Sequence, residues 1–79
     1  DGSYKFYYHT GKLKEEGTYK NGNGDGVFKI YYDDGQLEVQ GSYKYGKREG
    51  LFQTYGRTGE LIREELFKNG KSIKFKHYD

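Results

Sequence analysis

The glycine-rich stretch NGNGDG, residues 21–26, is the segment whose composition comes nearest to a cation-binding loop. Asn21, Asn23 and Asp25 stand at alternate positions, as oxygen ligands do in a helix-flanked calcium loop. The twelfth position of such a loop needs a bidentate carboxylate, and here it is Tyr32. A phosphate-binding loop would need a Lys-Ser/Thr pair and a following helix. We therefore interpret the stretch as a hairpin turn followed by the start of a strand.

The other titratable residues do not form a catalytic pattern. His9 lies beside a turn and His77 in the last predicted strand, so they are not expected to converge on one serine or one metal ion. Glu15 and Glu65 are predicted on an apolar face, where an ionised carboxylate is costly unless paired. We expect Glu65 to pair with Lys74, and Glu15 to be solvated at a sheet edge or to lie in a binding groove. The sequence predicts a non-enzymatic protein without a metal or cofactor.

Aromatic side chains are the one feature that could itself be a binding surface. The chain has 10 Tyr and 5 Phe among its 79 residues, which supplies a core to a chain that is 33% charged. These rings could stack on bases or sugars, could bind a peptide, or could simply be core. The candidate surface consists of five tyrosines and one carboxylate: Tyr4, Tyr8, Glu15, Tyr19, Tyr32 and Tyr43.

Charge and cysteine content exclude several classes of protein. The 14 Lys+Arg and 12 Asp+Glu alternate along the chain, which is too balanced for a nucleic-acid clamp or a polybasic membrane patch, so no nucleic-acid partner is expected. The absence of Cys excludes disulfides and thiolate metal sites and leaves the compartment open. Because the sequence begins at Asp1 without Met, we expect a trimmed or processed protein, from which a signal peptide could have been removed.

A 24-residue period organises the whole chain. Gly11, Gly35 and Gly59 are spaced by this step, as are the leucines and tyrosines around them. A fixed period in this range is typical of a repeat protein in which each unit packs on its neighbours. We expect one domain, 1–79, with units at 4–27, 28–51 and 52–75 and a terminal strand.

Each unit contains two turn pairs, which predict an all-β fold. The pairs are Thr10-Gly11, Asp34-Gly35 and Thr58-Gly59 in one series, and Asn21-Gly22, Tyr45-Gly46 and Asn69-Gly70 in the other. Asn-Gly and Asp-Gly favour two-residue type I′ hairpins. The prediction is a single-layer, twisted antiparallel β-meander of about seven strands: 3–8, 13–20, 24–32, 37–44, 48–56, 61–68 and 72–78. Residues 58–70 could also form a helix, but the repeat register favours a strand.

Two-residue turns would fix the register and therefore the two faces of the sheet. Around Asp34-Gly35 the predicted pairs are Tyr32–Leu37, Ile30–Val39, Phe28–Gly41 and Gly26–Tyr43. This register places most rings and several glycines on one face, and Lys, Glu and Gln on the other. Six apolar residues near the C-terminus fall on the nominally polar face: Leu51, Tyr55, Ile62, Leu66, Ile73 and Phe75.

The repeated motifs resemble the bacterial MORN repeat variant. YYxxG occurs as residues 31–35 and YKxGxxxG as residues 43–50, while Tyr19-Lys20-Asn21-Gly22 and Phe67-Lys68-Asn69-Gly70 fit the second motif. The third unit departs from the pattern, with Gly56 for the second Tyr, Glu65 for a strand Gly, and Lys74 for the closing Gly. The resemblance implies an elongated sheet of stacked hairpins.

The resemblance also implies a role in binding. It points to a protein partner, with an antitoxin-like role in a bacterial toxin-antitoxin module, and it favours the bacterial cytoplasm. The alternative is an anionic-lipid-binding module of the kind found in phosphatidylinositol phosphate kinase-like proteins. Both edges of the predicted sheet carry lysines, which discourage uncontrolled strand addition, although an edge-strand homodimer stays an open alternative.

Overall fold

The computed structural model describes residues 2–78, which form one open antiparallel sheet. The Leu61–Lys68 segment is a strand, so the strand interpretation of residues 58–70 is confirmed over the helix. The strands found within residues 2–78 are β1 Gly2–Tyr7, β2 Leu13–Lys20, β3 Asn23–Gly24, β4 Gly26–Tyr31, β5 Leu37–Lys44, β6 Lys47–Arg48, β7 Gly50–Tyr55, β8 Leu61–Lys68 and β9 Lys71–His77.

The strands follow one another across the sheet in chain order. The order is β1-β2-β4-β5-β7-β8-β9, with the short β3 beside β2 and the short β6 beside β5. The molecule measures 36 × 33 × 12 Å, and its smallest dimension leaves room for one layer only. The predicted single-layer meander of hairpin repeats is confirmed, with two short extra strands in the part of the chain that the structure describes.

One series of turns has the predicted type I′ geometry. Asn21, Tyr45 and Asn69 have φ 53°, and the glycine after each also has positive φ. A type I′ turn requires this at both central positions. Backbone bonds tie these turns to the neighbouring unit, since Gly46 N–H donates to the Gly24 carbonyl (2.9 Å).

The other series of turns differs from the prediction. At Asp34-Gly35 only the glycine has positive φ, 93°, and its N–H donates to the Tyr32 carbonyl at 3.0 Å. This is a type I turn closed by a glycine bulge, a common alternative to the two-residue loop. The extra residue shifts the register, so Leu37 lies opposite Tyr31 and the predicted Tyr32–Leu37 pair is wrong. The other three pairs, Ile30–Val39, Phe28–Gly41 and Gly26–Tyr43, are confirmed.

The core is a row of rings lying on glycines. Phe28 and Phe67 are the buried hydrophobic side chains among residues 2–78, at 6% and 7% exposure. A Cβ built on Gly41 would lie 2.7 Å from the ring of Phe52, and one on Gly17 would lie 2.6 Å from the Tyr4 hydroxyl. Glycine is therefore required at these two positions because a ring occupies the space of a side chain.

The opposite face, here the polar face, carries one continuous ladder of polar residues across the sheet. Each member lies directly opposite the next on the neighbouring strand, and every pair joins either opposite charges or a Gln amide to a polar side chain. Such cross-strand pairs stabilise a solvated sheet surface. The ladder consists of Lys5, Glu16, Lys29, Gln40, Gln53, Glu64 and Lys76.

Strand β9 pairs one residue out of step with the earlier units. In the second unit Val39 lies opposite Thr54, and 24 residues later the same rule would pair Arg63 with Tyr78. Arg63 instead lies opposite His77. A one-residue slip moves every side chain of a strand to the other face.

This slip corrects two predictions about the C-terminal region. Glu65 lies opposite Phe75, and Lys74 lies opposite Leu66, so the expected Glu65–Lys74 ion pair is wrong. Phe75 shares the face of Glu65, which is the aromatic face and not the polar one. The slip thus moves an aromatic ring to the face where the other rings lie.

The sequence difference behind the slip lies beside the second turn. In the second unit the Ser42 hydroxyl donates to the Glu49 carbonyl at 2.7 Å, and Gly50 follows with φ 84°. The first unit has the same arrangement. The third unit has Leu66 and Lys74 in place of the hydroxyl and the glycine. Without that bond and that glycine, β9 closes into a tighter bulge between Leu66 and Phe67.

Replacing Tyr45 by Asn should stabilise the protein. Tyr45 holds φ 53° with its ring 74% exposed, so it bears left-handed strain while burying little. Asn tolerates this conformation, and we expect a gain of about 0.5–1 kcal/mol in the free energy of unfolding. Chemical denaturation measures the change.

Asn69→Tyr is the matched reverse substitution, because Asn69 has the same φ in the equivalent turn. This substitution should lower the free energy of unfolding by an amount similar to the gain expected for Tyr45→Asn. If both variants melt like the wild type, backbone strain at these turns does not affect stability.

Candidate interaction surface

Tyr8 and Tyr32 bind neighbouring repeats together. The Tyr8 hydroxyl donates to the Tyr31 carbonyl and the Tyr32 hydroxyl donates to the Tyr55 carbonyl, both at 2.6 Å. Each bond spans 23 residues and so joins one unit to the next. Both tyrosines are half-buried and lie just beyond the strand ends. Their hydroxyls are already hydrogen-bonded within the sheet, so only the rings of these tyrosines could contact a partner.

An exposed ion pair accompanies the second of these bonds. Arg57 Nη1 lies 2.9 Å from Asp33 Oδ1, and the two residues are 24 positions apart in the chain. The Arg57 guanidinium also lies 4.7 Å from the centre of the Tyr32 ring, where a cation is attracted to the π face. The hydrogen bond and charge of Arg57 lower the pKa of Asp33. The third unit has Gly56 where this tyrosine would stand.

Tyr4 and Glu15 form a pair near the β1 edge. The Tyr4 hydroxyl donates to Glu15 Oε2 at 3.0 Å. Burial, followed by the bond and charge of Glu15, raises the pKa of Tyr4 to about 12. Glu15 is therefore bonded and half-buried and is not simply solvated. Tyr19 lies further along β2 with 39% of its surface exposed.

Tyr43 is the one member of the six-residue candidate surface that lines the main groove of the aromatic face. Its ring lies 4.9 Å from Phe28 and 6.2 Å from Phe52, and Phe52 lies 4.9 Å from Phe67. The groove has a volume of about 320 Å³. The residues predicted as a binding surface are thus spread over the sheet, and their binding role stays a prediction. The groove is lined by Phe28, Ile30, Val39, Tyr43, Arg48, Phe52, Thr54, Arg63, Glu65 and Phe67.

Two arginines complete this groove, and the sequence analysis did not identify them as binding residues. The Arg48 guanidinium lies 5.3 Å from the centre of the Phe67 ring and 5.9 Å from that of Phe52. Arg63 lies opposite Thr54 on the same face. Their face could have been read from the alternation along β8 and from the pairing of Arg48 with Tyr43. The position of the Arg48 guanidinium over two rings depends on three-dimensional packing.

One end of the sheet is strongly basic. The three type I′ turns lie there, and five lysines flank them: Lys20, Lys44, Lys47, Lys68 and Lys71, here called the lysine end. The exposed Tyr45 ring lies at the middle turn. The opposite end contains both signs of charge, with Asp33, Asp34 and Glu60 beside Lys12 and Arg57. The lysine end is therefore more basic than the opposite end, although the charges of the two signs are balanced along the sequence.

Within residues 2–78 no three His, Asp or Glu side chains are grouped closely enough to hold a metal ion. That same part of the chain contains no helix long and apolar enough to span a membrane.

Comparison with known families identifies the repeat. The MORN repeat variant matches three times, at residues 1–21, 24–45 and 48–69. The chain belongs to the MORN repeat variant family. Neither the curated proteins nor the solved structures contain a match. MORN repeats are in general non-catalytic modules for binding proteins or membrane lipids, and the open, ring-lined sheet agrees with that class.

Replacing Tyr32 by Phe tests whether its hydroxyl belongs to the fold. The change removes the bond to the Tyr55 carbonyl and leaves a half-buried acceptor without its partner. We expect the free energy of unfolding to fall by about 1 kcal/mol. Thermal or chemical denaturation measures it.

Tyr19→Phe is the control, because no hydrogen bond of the Tyr19 hydroxyl to another described residue is found. It should melt as the wild type does. If Tyr32→Phe and Tyr19→Phe melt at the same temperature, the bond from Tyr32 to the Tyr55 carbonyl contributes nothing to stability.

Alkaline pH should destabilise the sheet through two tyrosines. Hydrogen bonding to Glu16, together with burial, raises the pKa of Tyr31 to about 12, and Tyr4 behaves similarly. Their ordinary value is 10.0, so the folded state resists ionisation that the unfolded state permits. The stabilisation is complete below pH 10 and is lost between about pH 10 and 12.

The measurement is the tyrosinate absorbance together with stability across this pH range. The double variant Tyr4→Phe/Tyr31→Phe should lose the part of the tyrosinate absorbance that appears near pH 12. Its free energy of unfolding should also depend less on pH. If absorbance near pH 12 survives in the double variant, other tyrosines cause it and the prediction is contradicted.

Proposed function

We propose that this protein is a non-enzymatic module that binds a protein partner through its aromatic face. The observation that carries the proposal is the groove, which is lined by the rings of Tyr43, Phe52 and Phe67 and in which an arginine lies over the two phenylalanines. Aromatic residues and Arg dominate the energetics of protein interfaces. The opposite face presents a solvated polar ladder, so the two faces differ in what they can bind.

The shallow shape of the groove favours a macromolecular partner over a small substrate. A single-layer sheet lies open on both faces, whereas pockets for small molecules enclose most of the ligand. A protein partner would bring its own apolar surface and complete the burial of rings that the sheet leaves half-covered. This reasoning also supports a non-catalytic role, because a reaction centre requires water exclusion.

The narrower role that the family resemblance implies is that of an antitoxin-like component in a bacterial toxin-antitoxin module. In that case the partner would be a small toxin produced together with this chain. Co-expression of the neighbouring reading frame, with and without this protein, would test it by cell growth. Unchanged growth would remove this role while leaving the wider proposal intact.

Binding to an anionic membrane surface is the second candidate function. The lysine end supports it, because five lysines and an exposed aromatic ring at a turn tip are arranged along one side of a flat molecule. Each lysine near an anionic surface contributes roughly 1 kcal/mol, and the effect falls with salt. This surface is separate from the groove, so the two candidates can be tested independently. A lipid-binding role would fit a larger phosphatidylinositol phosphate kinase-like protein.

Two neighbouring substitutions on opposite faces test the proposed protein interaction. Thr54 lines the groove and Gln53 lies on the polar face, bonded to Glu64 at 3.0 Å. Thr54→Lys should abolish co-purification of the partner from the source organism, while Gln53→Lys, which adds the same charge, should preserve it. Equal capture by both variants would contradict a role for the aromatic face.

Vesicle binding tests the second candidate. The double variant Lys44→Gln/Lys68→Gln should weaken binding to phosphatidylserine vesicles by about tenfold or more, from roughly 1 kcal/mol per lysine. Lys5→Gln/Lys29→Gln removes equal charge from the polar face and is the control. Absence of salt-sensitive vesicle binding by the wild type would eliminate this function.

A further inference from the structure

We propose that the groove binds an acidic segment of the partner, in which two carboxylates flank an apolar side chain in an extended peptide. This inference rests on the proposed protein interaction through the aromatic face and names the chemistry of what binds there. It depends on two guanidinium groups, the rings between them and one carboxylate at the centre of the groove.

Arg48 presents a ready carboxylate-binding group. Its guanidinium lies over the rings of Phe52 and Phe67, at 5.9 and 5.3 Å from their centres, and the residue as a whole is exposed. No carboxylate among residues 2–78 pairs with it. Neither ring carries a charge or a hydrogen-bonding oxygen, so the guanidinium N–H groups remain available for the two oxygens of a carboxylate. The rings therefore orient the cation without neutralising it.

Arg63 supplies a second cation further along β8. It is exposed, lies opposite Thr54 on the same face, and also lacks an ion-pair partner among the described residues. Arg63 is four positions along the strand from Phe67, over which the Arg48 guanidinium lies, a span of roughly 13 Å. Two side chains four residues apart on an extended peptide are separated by the same distance. The spacing of the two guanidinium groups thus matches the spacing of two acidic side chains four residues apart in an extended peptide.

Glu65 decides which kind of anion fits. It lies between the two arginines on the groove wall, half-buried opposite Phe52 and without a bonded partner among residues 2–78. The arrangement is therefore cation, acceptor, cation, with one net positive charge. A peptide supplies N–H donors between its acidic side chains and can satisfy Glu65. A dense polyanion such as nucleic acid or polyphosphate would be repelled at this position.

The apolar residue of the ligand would lie on the rings. The Phe52 ring packs on Gly41, which has no side chain, and its other surface leaves it only half-buried. Ile30 and Val39 extend the apolar lining of the groove. An apolar side chain placed here removes water from the rings and from the two flanking ion pairs. Such pairs are worth more when they are partly desolvated at an interface.

Selection from a displayed library of random short peptides, with the purified protein as bait, tests the proposal. We expect wild-type selection to enrich peptides with two Asp or Glu flanking an apolar residue. Arg48→Gln and Arg63→Gln should each lower affinity for the selected peptides at least fivefold, and Glu65→Gln should raise it. Lys44→Gln, an equal loss of charge outside the groove, should leave it unchanged. Circular dichroism of each variant confirms that the sheet is intact.

The outcomes separate this inference from the proposed function. Peptides without acidic enrichment that still require an unmodified Thr54 would overturn the acidic specificity and leave the aromatic face as the binding surface. Peptides insensitive to both Thr54→Lys and the arginine variants would overturn both proposals. Failure to enrich any peptide, or a preference for polyphosphate over the acidic peptides, would overturn the acidic-peptide inference.

Discussion

The packing of an aromatic ring onto a bare stretch of neighbouring backbone is the interaction on which this fold depends. A sheet 12 Å thick has no second layer to cover its rings, so each ring must be buried within the layer itself. Only glycine leaves the necessary space, as Gly41 does beneath Phe52. The 24-residue period keeps ring and glycine in register, while the Tyr8 and Tyr32 hydroxyls tie successive units together.

The third unit shows what happens when these conditions are relaxed. Glu65 replaces the strand glycine, and Gly56 replaces the tyrosine that would join a following unit. Leu66 and Lys74 remove the hydroxyl and the glycine that shape the bulge, and β9 pairs one residue out of step. The same replacements place a carboxylate on the aromatic face and bring Phe75 onto it. The departures from the repeat therefore create a distinct surface.

The sequence predicts the sheet well and its irregularities poorly, for physical reasons. Alternation and the period were enough to place Phe28 opposite Gly41 and Gly26 opposite Tyr43. They failed at Tyr32 and at Lys74, where a bulge adds one residue and where the energies of competing loops differ little. The aromatic face was predicted, but the groove was not, because Arg48 reaches Phe67 from the short strand β6, which the irregular backbone at Glu49-Gly50 separates from β7.

Comparison of equivalent positions indicates how the fold and the binding function are divided. Positions that keep their residue type in successive units, such as the lysines at 20, 44 and 68, recur along one end of the sheet and give it a uniform charge. One set of equivalent positions on the aromatic face differs in each unit, with Glu15, Val39 and Arg63 in turn. A repeated surface suits a uniform target such as a lipid layer, whereas a surface that differs at each unit can recognise one partner in one orientation. These three positions lie in or beside the groove, which makes it well suited to specific recognition.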